Sequence, residues 1–329
     1  MILEIISLVG GLVLILVGAN LLTDGASAVA RRWGVSDLVI GLTVVAFGTS
    51  APELVISIMS AISGNAGLAI GNAVGSNIFN VLVIIGITAM IRPLHIGKGI
   101  LTKDIPMVIL SSLALLAIGN SPLLDGTSAP VLSRVESILL LLFFTIFMRY
   151  TFAQAHHVAH TPEGAADPST GAASAKPEMG MWKGCLWVVT GLAGLIWGGD
   201  LFVDGASAVA RGMGVSDAVI GLTIVAAGTS LPELATSITA AMKGKPGIAV
   251  GNVIGSNIFN IFLVLGVAGT IRPLPFGGIG NIDLLTMTVG SILFWVFGWF
   301  FKERTITRWE GAALFAVYIA YIAYLLTHI

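Results

Sequence analysis

Two glutamates, Glu53 and Glu233, hold equivalent places in a chain whose surroundings suit lipid better than water. Glu53 closes the segment GTSAPE at 48–53, and Glu233 closes GTSLPE at 228–233. An ionised carboxylate at a bilayer centre costs about 2.5–3.5 kcal/mol on insertion scales. No lysine or arginine lies at a depth where it could pair with either one. Such a pair is expected to bind protons or metal cations. Thr49, Ser50 and Ser57 lie at helical spacings from Glu53, and Thr229, Ser230 and Ser237 repeat the pattern around Glu233. Pro52 and Pro232 lack an amide hydrogen and crowd a carbonyl one turn back. Kinked spans are expected there, with loose carbonyls near Ala46, Thr49, Ala226 and Thr229. Carboxylates, hydroxyls and carbonyls form an all-oxygen set, which suits hard cations such as Na⁺ and Ca²⁺. With no Cys or His near these motifs, soft transition metals are disfavoured.

A second motif follows each first one, GNAVGSNIFN at 71–80 and GNVIGSNIFN at 251–260. Asn72, Ser76 and Asn80 fall every fourth residue, a polar stripe of amides and a hydroxyl, and Asn252, Ser256 and Asn260 match it. Asn77 and Asn257 lie to the side of the stripe, where bracing a broken helix is an alternative role. Gly67, Gly71 and Gly75, with Gly247, Gly251 and Gly255, form small-residue stripes whose simplest use is close helix packing. GNAVGS lacks the lysine of a phosphate loop. Asp24, Asp37, Asp204 and Asp217 fall at expected span ends, where capping and interfacial solvation suffice, and Ser36 and Ser216 read as N-caps.

The elements that must position these groups are membrane helices. Hydrophobic residues make up 56% of the chain and charged residues 10%, against about 25% charged in a soluble domain. The expected fold class is an all-α polytopic membrane protein. Ten apolar stretches are long enough to span, near 2–22, 37–61, 67–90, 104–119 and 133–150, then 183–203, 217–241, 247–270, 283–301 and 309–327. The first run lacks a basic leader and continues into repeated sequence, so a secretory signal is not expected. Residues 153–182, rich in Ala, Gly, Pro, Ser, Thr and His, read as a flexible linker between halves at 1–152 and 183–329. His156, His157 and His160 belong to this solvated stretch rather than to a metal site. The lone Cys185 excludes an internal disulfide and reads as an apolar filler. A net charge of −1 without a basic run argues against nucleic acid. Neither a bound cofactor nor an obligate protein partner is indicated; the partner is the lipid bilayer.

Of the 16 basic residues, all but Arg134, Arg211 and Arg272 fall on one side if the termini share the other. That bias makes the linker cytoplasmic and puts both termini outside a plasma membrane. The second half repeats the first at a constant offset, and more than half of the positions in 18–94 and 198–274 are identical. Five spans per half is odd, so the second half must enter the membrane inverted. GASAVARRWGVS at 25–36 accordingly becomes GASAVARGMGVS at 205–216, losing an arginine where its loop moves outside. Inverted repeats with broken helices around a midplane site are the architecture of secondary transporters.

The doubled pattern G-T-S-x-P-E followed by G-N-x-x-G-S-N-I-F-N resembles the α-repeats of the sodium/calcium exchanger family, within the calcium/cation antiporter superfamily. The resemblance covers both repeats, 41–84 and 221–264, and the lack of a large regulatory domain resembles the prokaryotic members. It implies a diamond of four cation sites at the midplane. Glu53 and Glu233 would then be central Ca²⁺ ligands, joined by the Thr49 and Thr229 carbonyls. Na⁺ would add Ser50, Ser230, Ser76, Ser256 and the backbone of Ala46 and Ala226. The first and sixth spans would slide as a unit past the rest. Asn80 and Asn260 belong to the same set; relatives that use K⁺, and some archaeal exchangers, carry aspartate at the latter position. The expectation is an antiporter exchanging Na⁺ for Ca²⁺ by alternating access, electrogenic and independent of K⁺, and not an enzyme. A Ca²⁺/H⁺ antiporter using the same glutamates is the nearest alternative. A cation channel, from another class, would need no inverted repeat.

Overall fold

The computed structural model describes residues 2–64, 66–126, 128–158, 179–213, 226–300 and 304–328. Helix α1 spans Ile2–Trp33, and α2 (Asp37–Thr49) meets α3 (Ala51–Ser63) at a 46° bend. Then come α4 (Gly67–Ile91), α5 (Ile100–Gly119), the short α6 (Ser121–Asp125) and α7 (Arg134–Val158). The second half holds α8 (Met181–Gly212), the fragment α9 (Ala226–Gly228), α10 (Leu231–Met242), α11 (Pro246–Ile271), α12 (Asn281–Phe300) and α13 (Arg308–His328). Among the described residues eight helices are long and apolar enough to cross a membrane, or up to 9 if the bent pair is one span. The first part of the stretch expected at 217–241, and Ser216 and Asp217 with it, lie outside the described residues, as does 159–178 of the linker.

Burial ranks the helices. The most apolar window of α11 is 94% buried and that of α4 is 72% buried, whereas those of α13 and α7 are 17% and 22%. The motif-bearing helices are therefore the centre, and the outer ones present Val135, Ile138, Leu142 and Ile146 outward as a lipid-facing surface. Both central helices contain a π-turn segment, Asn80–Ile85 in α4 and Phe259–Leu265 in α11. Such turns loosen the backbone ladder and often mark functional sites.

Several expected boundaries move: α5 begins at Ile100 and not 104, and α7 continues through Val158, into the stretch expected as linker from 153. The first span runs on to Trp33 and the sixth from Met181 to Gly212, because the GASAVAR segments continue the helix instead of ending it. Asp24 and Asp204 consequently lie inside helices and not at caps. Ser36 does cap α2, its Oγ accepting the Val39 N–H at 3.3 Å. Asp37, the first residue of α2, accepts from Ser27 Oγ at 3.1 Å.

Helices α1 and α8 pack antiparallel along glycines spaced one heptad apart. A Cβ on Gly11 would lie 2.7 Å from Gly198 O, one on Gly18 2.8 Å from Gly191 O, and one on Gly25 2.7 Å from Gly184 O. Only glycine permits backbones to approach this closely. Cys185, near the start of α8, packs partly buried against the core.

Short strands and arginines tie the halves together by exchange. Leu94–His95 pairs antiparallel with Thr305–Ile306, and Val131–Leu132 pairs with Leu274–Pro275. Arg92 Nη1 donates to Ala241 O and Met242 O, both at 3.0 Å, at the C-terminal end of α10. Glu136 returns to Ser133 N at 2.7 Å while Ser133 Oγ accepts from Glu136 N at 3.3 Å, a capping box that opens α7. Glu310 accepts from Thr307 N at 2.5 Å at the start of α13.

Candidate cation site

The break between α2 and α3 is where the first site residues emerge. Ser50 N donates to Ala46 O at 2.9 Å, and the ladder resumes with Leu54 N to Ser50 O at 3.1 Å. Pro52 falls in the first turn of α3, where a missing N–H is harmless, so the chain restarts a helix at a new angle. In the second copy Ser230 N donates to Ala227 O at 3.2 Å, Leu234 N to Ser230 O at 3.0 Å, and Pro232 takes the first turn of α10. Thr49 is the last residue of α2, and its equivalent Thr229 directly follows α9. The Ala46 carbonyl corrects one expectation. It is not loose, since it accepts from Ser50 N at 2.9 Å. Proline disturbs the carbonyl four residues back, which is Gly48 for Pro52 and Gly228 for Pro232. Ala226 opens α9, and its side chain lies outside the described residues.

Both glutamates are 1% exposed. Glu233 Oε1 accepts from Ser50 Oγ at 3.2 Å and from Ser256 Oγ at 3.4 Å. Thr49 Oγ1 donates to Asn252 Oδ1 at 3.0 Å. Thr49, Ser50, Ser230, Asn80, Ser256 and Asn260 are all buried, with Ser76 at 5% and Thr229 partly buried. Hydroxyls from both halves thus meet the Glu233 carboxylate, and Thr49 of the first half bonds an amide of the second.

Asn72 and Asn252 do something other than line the stripe. Asn72 Nδ2 donates to Glu53 O and Ser57 Oγ, both at 3.4 Å, and Asn252 Nδ2 donates to Glu233 O at 3.3 Å and Ser237 Oγ at 3.1 Å. Each clamps the backbone of one glutamate from the neighbouring helix. Ser57 and Ser237 are accordingly engaged in bracing.

The remaining valences are the informative part. Both carboxylate oxygens of Glu53, Oε2 of Glu233, Oδ1 of Asn80 and of Asn260, and Oγ of Ser230 are buried without a hydrogen-bond partner. One buried unpaired acceptor costs about 1–3 kcal/mol, and a charged one more. Six together, from both halves and all oxygen, fit ligands for hard cations. Among the described residues no group of three or more His, Cys, Asp or Glu could hold a metal ion.

Two cavities approach these residues. One of about 190 Å³ is lined by Pro52, Thr229 and Pro232 on the site side and by Asp200 and Asp204 of α8. The other, about 450 Å³, reaches Asn72, Ser76 and Thr229 past Tyr318 and Tyr321 of α13. The glycine stripes differ here. A Cβ on Gly251 would lie 2.7 Å from Leu38 O and one on Gly255 2.7 Å from Leu42 O, as close packing requires. Gly71 and Gly75 instead line the larger cavity, and Gly75 has nothing within 4 Å.

Sequence reasoning missed Asp200 and Asp204 as cavity-lining groups; their one-turn spacing on a glycine-rich apolar helix was the available signal. Asp104, near the start of α5, is 2% exposed.

The family model described as sodium/calcium exchanger protein matches residues 3–153 and 183–327. The inner membrane protein YrbG of Escherichia coli is 35% identical over 300 residues, 88% of this chain and 87% of that one. The sodium/calcium exchanger MaX1 of Methanosarcina acetivorans is 32% identical over 341 residues, 96% of each. Among solved structures, the sodium-calcium exchanger NCX_Mj soaked with Na⁺ and Ca²⁺ superimposes with a TM-score of 0.82 at 33% identity, covering 98% of both chains. The chain belongs to the sodium/calcium exchanger family of membrane antiporters, in the prokaryotic type that lacks a large regulatory loop.

Proposed function

We propose that this chain exchanges Na⁺ for Ca²⁺ across the plasma membrane by alternating access around Glu53 and Glu233. The observation that carries the reading is the set of buried oxygens without partners, contributed by both halves and including three of the four oxygens of the two carboxylates. Ca²⁺ takes Glu53, Glu233 and the Thr49 and Thr229 carbonyls. Na⁺ draws also on Ser50, Ser230, Ser76, Ser256, Asn80, Asn260, the Ala226 backbone and the second lone pair of the Ala46 carbonyl, whose first is taken by Ser50 N. Overlapping ligands make the two ions compete, which is what obligatory exchange requires.

The two halves are inverted repeats of five spans each, ten in all, joined by a cytoplasmic linker, with both termini outside. The antiparallel packing of α1 against α8 supports this, since 18–32 and 198–212 are sequence equivalents. The exchanged strand pairs support it too. The glycine-lined pair α1 and α8 is the unit that slides. Two carboxylates carry a formal charge of −2, so one Ca²⁺ neutralises the site and three Na⁺ leave +1. That charge balance is consistent with electrogenic three-for-one exchange, and Asn260 in place of an aspartate weakens the case for K⁺ co-transport.

The test is radioactive Ca²⁺ uptake into proteoliposomes loaded with Na⁺, beside matched vesicles driven by a pH gradient, with Glu53→Gln as the blank. Uptake that requires internal Na⁺ and generates a membrane potential is expected. Uptake driven by the pH gradient alone would replace Na⁺ by protons as the coupling ion.

A further inference from the structure

Four asparagines at the centre of the molecule form one bonded set. Asn80 Nδ2 donates to Asn257 Oδ1 at 3.0 Å, and Asn260 Nδ2 donates to Asn77 Oδ1 at 3.0 Å. Asn77 Nδ2 in turn donates to the Asn257 backbone carbonyl at 3.1 Å. All four side chains are at most 1% exposed. Each bond runs between α4 and α11, so an asparagine of one half always holds an asparagine of the other.

A primary amide has two faces of opposite character. Its oxygen can ligate a cation, while its N–H₂ carries partial positive charge and repels one. Which end faces a site is decided by what the other end bonds. Here the N–H₂ groups of Asn80 and Asn260 are taken by Asn257 and Asn77, and their Oδ1 atoms are the ones left buried without a partner. The spacing also fits. Asn77 and Asn257 sit three residues before Asn80 and Asn260, beside the ligand face of each helix.

We propose that Asn77 and Asn257 are positioning residues that fix the orientation of the Asn260 and Asn80 amides, so that carbonyl oxygens and not amide hydrogens meet the transported cations. This rests on the reading that Asn80 and Asn260 contribute ligands. Outer-shell partners of metal ligands act in this way, and their loss costs roughly 10- to 100-fold in affinity. The two are not interchangeable. Asn77 holds a second bond through its own N–H₂, whereas the Asn257 side chain serves as an acceptor only. Asn257→Asp keeps the acceptor that Asn80 needs. Asn77→Asp keeps the acceptor for Asn260 but sets a carboxylate oxygen against the Asn257 carbonyl.

The experiment uses the full chain in detergent and in proteoliposomes, with Ca²⁺ and Na⁺ themselves as probes. The half-saturating concentration for cation-induced thermal stabilisation, and KM and kcat for exchange, are measured for Asn77→Leu, Asn257→Leu, Asn257→Asp, Asn80→Leu and Asn260→Leu. The expected result is a rise of roughly 10- to 100-fold in half-saturation for Asn77→Leu and Asn257→Leu. The cation-free melting temperature should shift far less, and Asn257→Asp should recover most of the loss. A fall in kcat and melting temperature with half-saturation unchanged would mean a structural brace only and would overturn the proposal. So would Asn80→Leu and Asn260→Leu losing affinity while Asn77→Leu and Asn257→Leu keep it. If all four leucine variants keep wild-type affinity, the amides are not ligands and the proposal falls with the reading beneath it.

Discussion

Ser50 Oγ, from the first motif, donates to Glu233 Oε1 of the second at 3.2 Å. The bond means that neither half contains a finished site. Glu233 is held by a hydroxyl from each half, while both oxygens of Glu53 are buried without a partner. The two glutamates are equivalent in sequence and unequal in surroundings.

Glu53→Gln and Glu233→Gln should each weaken Ca²⁺ binding by about 3 kcal/mol or more, roughly 100-fold, because removing one charge leaves the divalent ion under-neutralised. Their effects on cation-free stability should differ. At Glu53 the substitution replaces a carboxylate with no hydrogen-bond partner by a neutral amide, so the melting temperature in a chelator should rise. At Glu233 it also disturbs the Ser50 and Ser256 bonds, so the gain should be smaller. Melting curves with and without Ca²⁺ measure both. Wild-type exchange by either variant would displace the centre of the site.

Asn260→Asp should make exchange dependent on pH or change its cation preference. Asn260 Nδ2 donates to Asn77 Oδ1, and an ionised carboxylate there would face an acceptor. Turning Asn77 over would supply a donor but break its bond to the Asn257 carbonyl. Protonating the new carboxyl restores the donor instead, so the variant should work with its added group neutral and lose activity as pH rises and that group ionises. A pH profile of Na⁺-driven Ca²⁺ uptake, with wild type alongside, checks the direction. An unchanged profile would place Asn260 outside the site.

Much of this site was legible before any coordinates. Glu53, Ser50 and Thr49 stand out because hydrocarbon penalises each of them, so their presence in an apolar run needs a use. The pairing partners were not legible. That Asn72 clamps the Glu53 backbone while Asn80 turns its oxygen inward depends on side-chain direction across two helices, and an every-fourth-residue stripe treats them alike. The π-turn segments escaped for a related reason, since a local change of helical period leaves no mark on an apolar run such as Val81–Ile85. The helix ends at Trp33 and Gly212 were misplaced because Ala, Ser and Gly lower hydropathy without stopping a helix.

Gly18→Ala and Gly191→Ala should separate α1 from α8. A Cβ on Gly18 would lie 2.8 Å from Gly191 O, and one on Gly191 2.5 Å from Leu22 N, backbone atoms that cannot turn aside. Overpacking of this kind costs about 1–3 kcal/mol. Gly10→Ala is the internal control, because its Cβ has nothing within 4 Å and alanine is the better helix former. Melting temperatures should fall for the first two and hold or rise for the third. Exchange rates should follow the same order, and a loss of activity at Gly10→Ala equal to that at Gly18→Ala would remove the packing explanation.

Asp24 joins α1 to the segment between α10 and α11, with its Oδ2 2.7 Å from Lys243 Nζ and its Oδ1 3.2 Å from Lys245 Nζ. Lys243 Nζ also donates to Asn20 O at 3.1 Å. At 37% side-chain exposure for Asp24, such a pair contributes about 1 kcal/mol or less to stability. Its place matters more than its strength. In the other half Asp204 is the equivalent of Asp24, but Ser63 and Asn65 stand where the lysines are, so this lysine link has no counterpart among the described residues of the other face. If α1 slides against the rest, one of the two conformational transitions must break it and the other must re-form it. Asp24→Asn should therefore leave the melting temperature nearly unchanged while altering the exchange rate. Raising ionic strength with an impermeant salt from about 0.02 M to about 0.3 M should alter the wild-type rate in the same sense, since screening weakens exposed ion pairs, and should leave the variant unaffected. An equal response in both would mean that the ion pair places no restraint on α1, and that the asymmetry between the two faces has no part in the transport cycle.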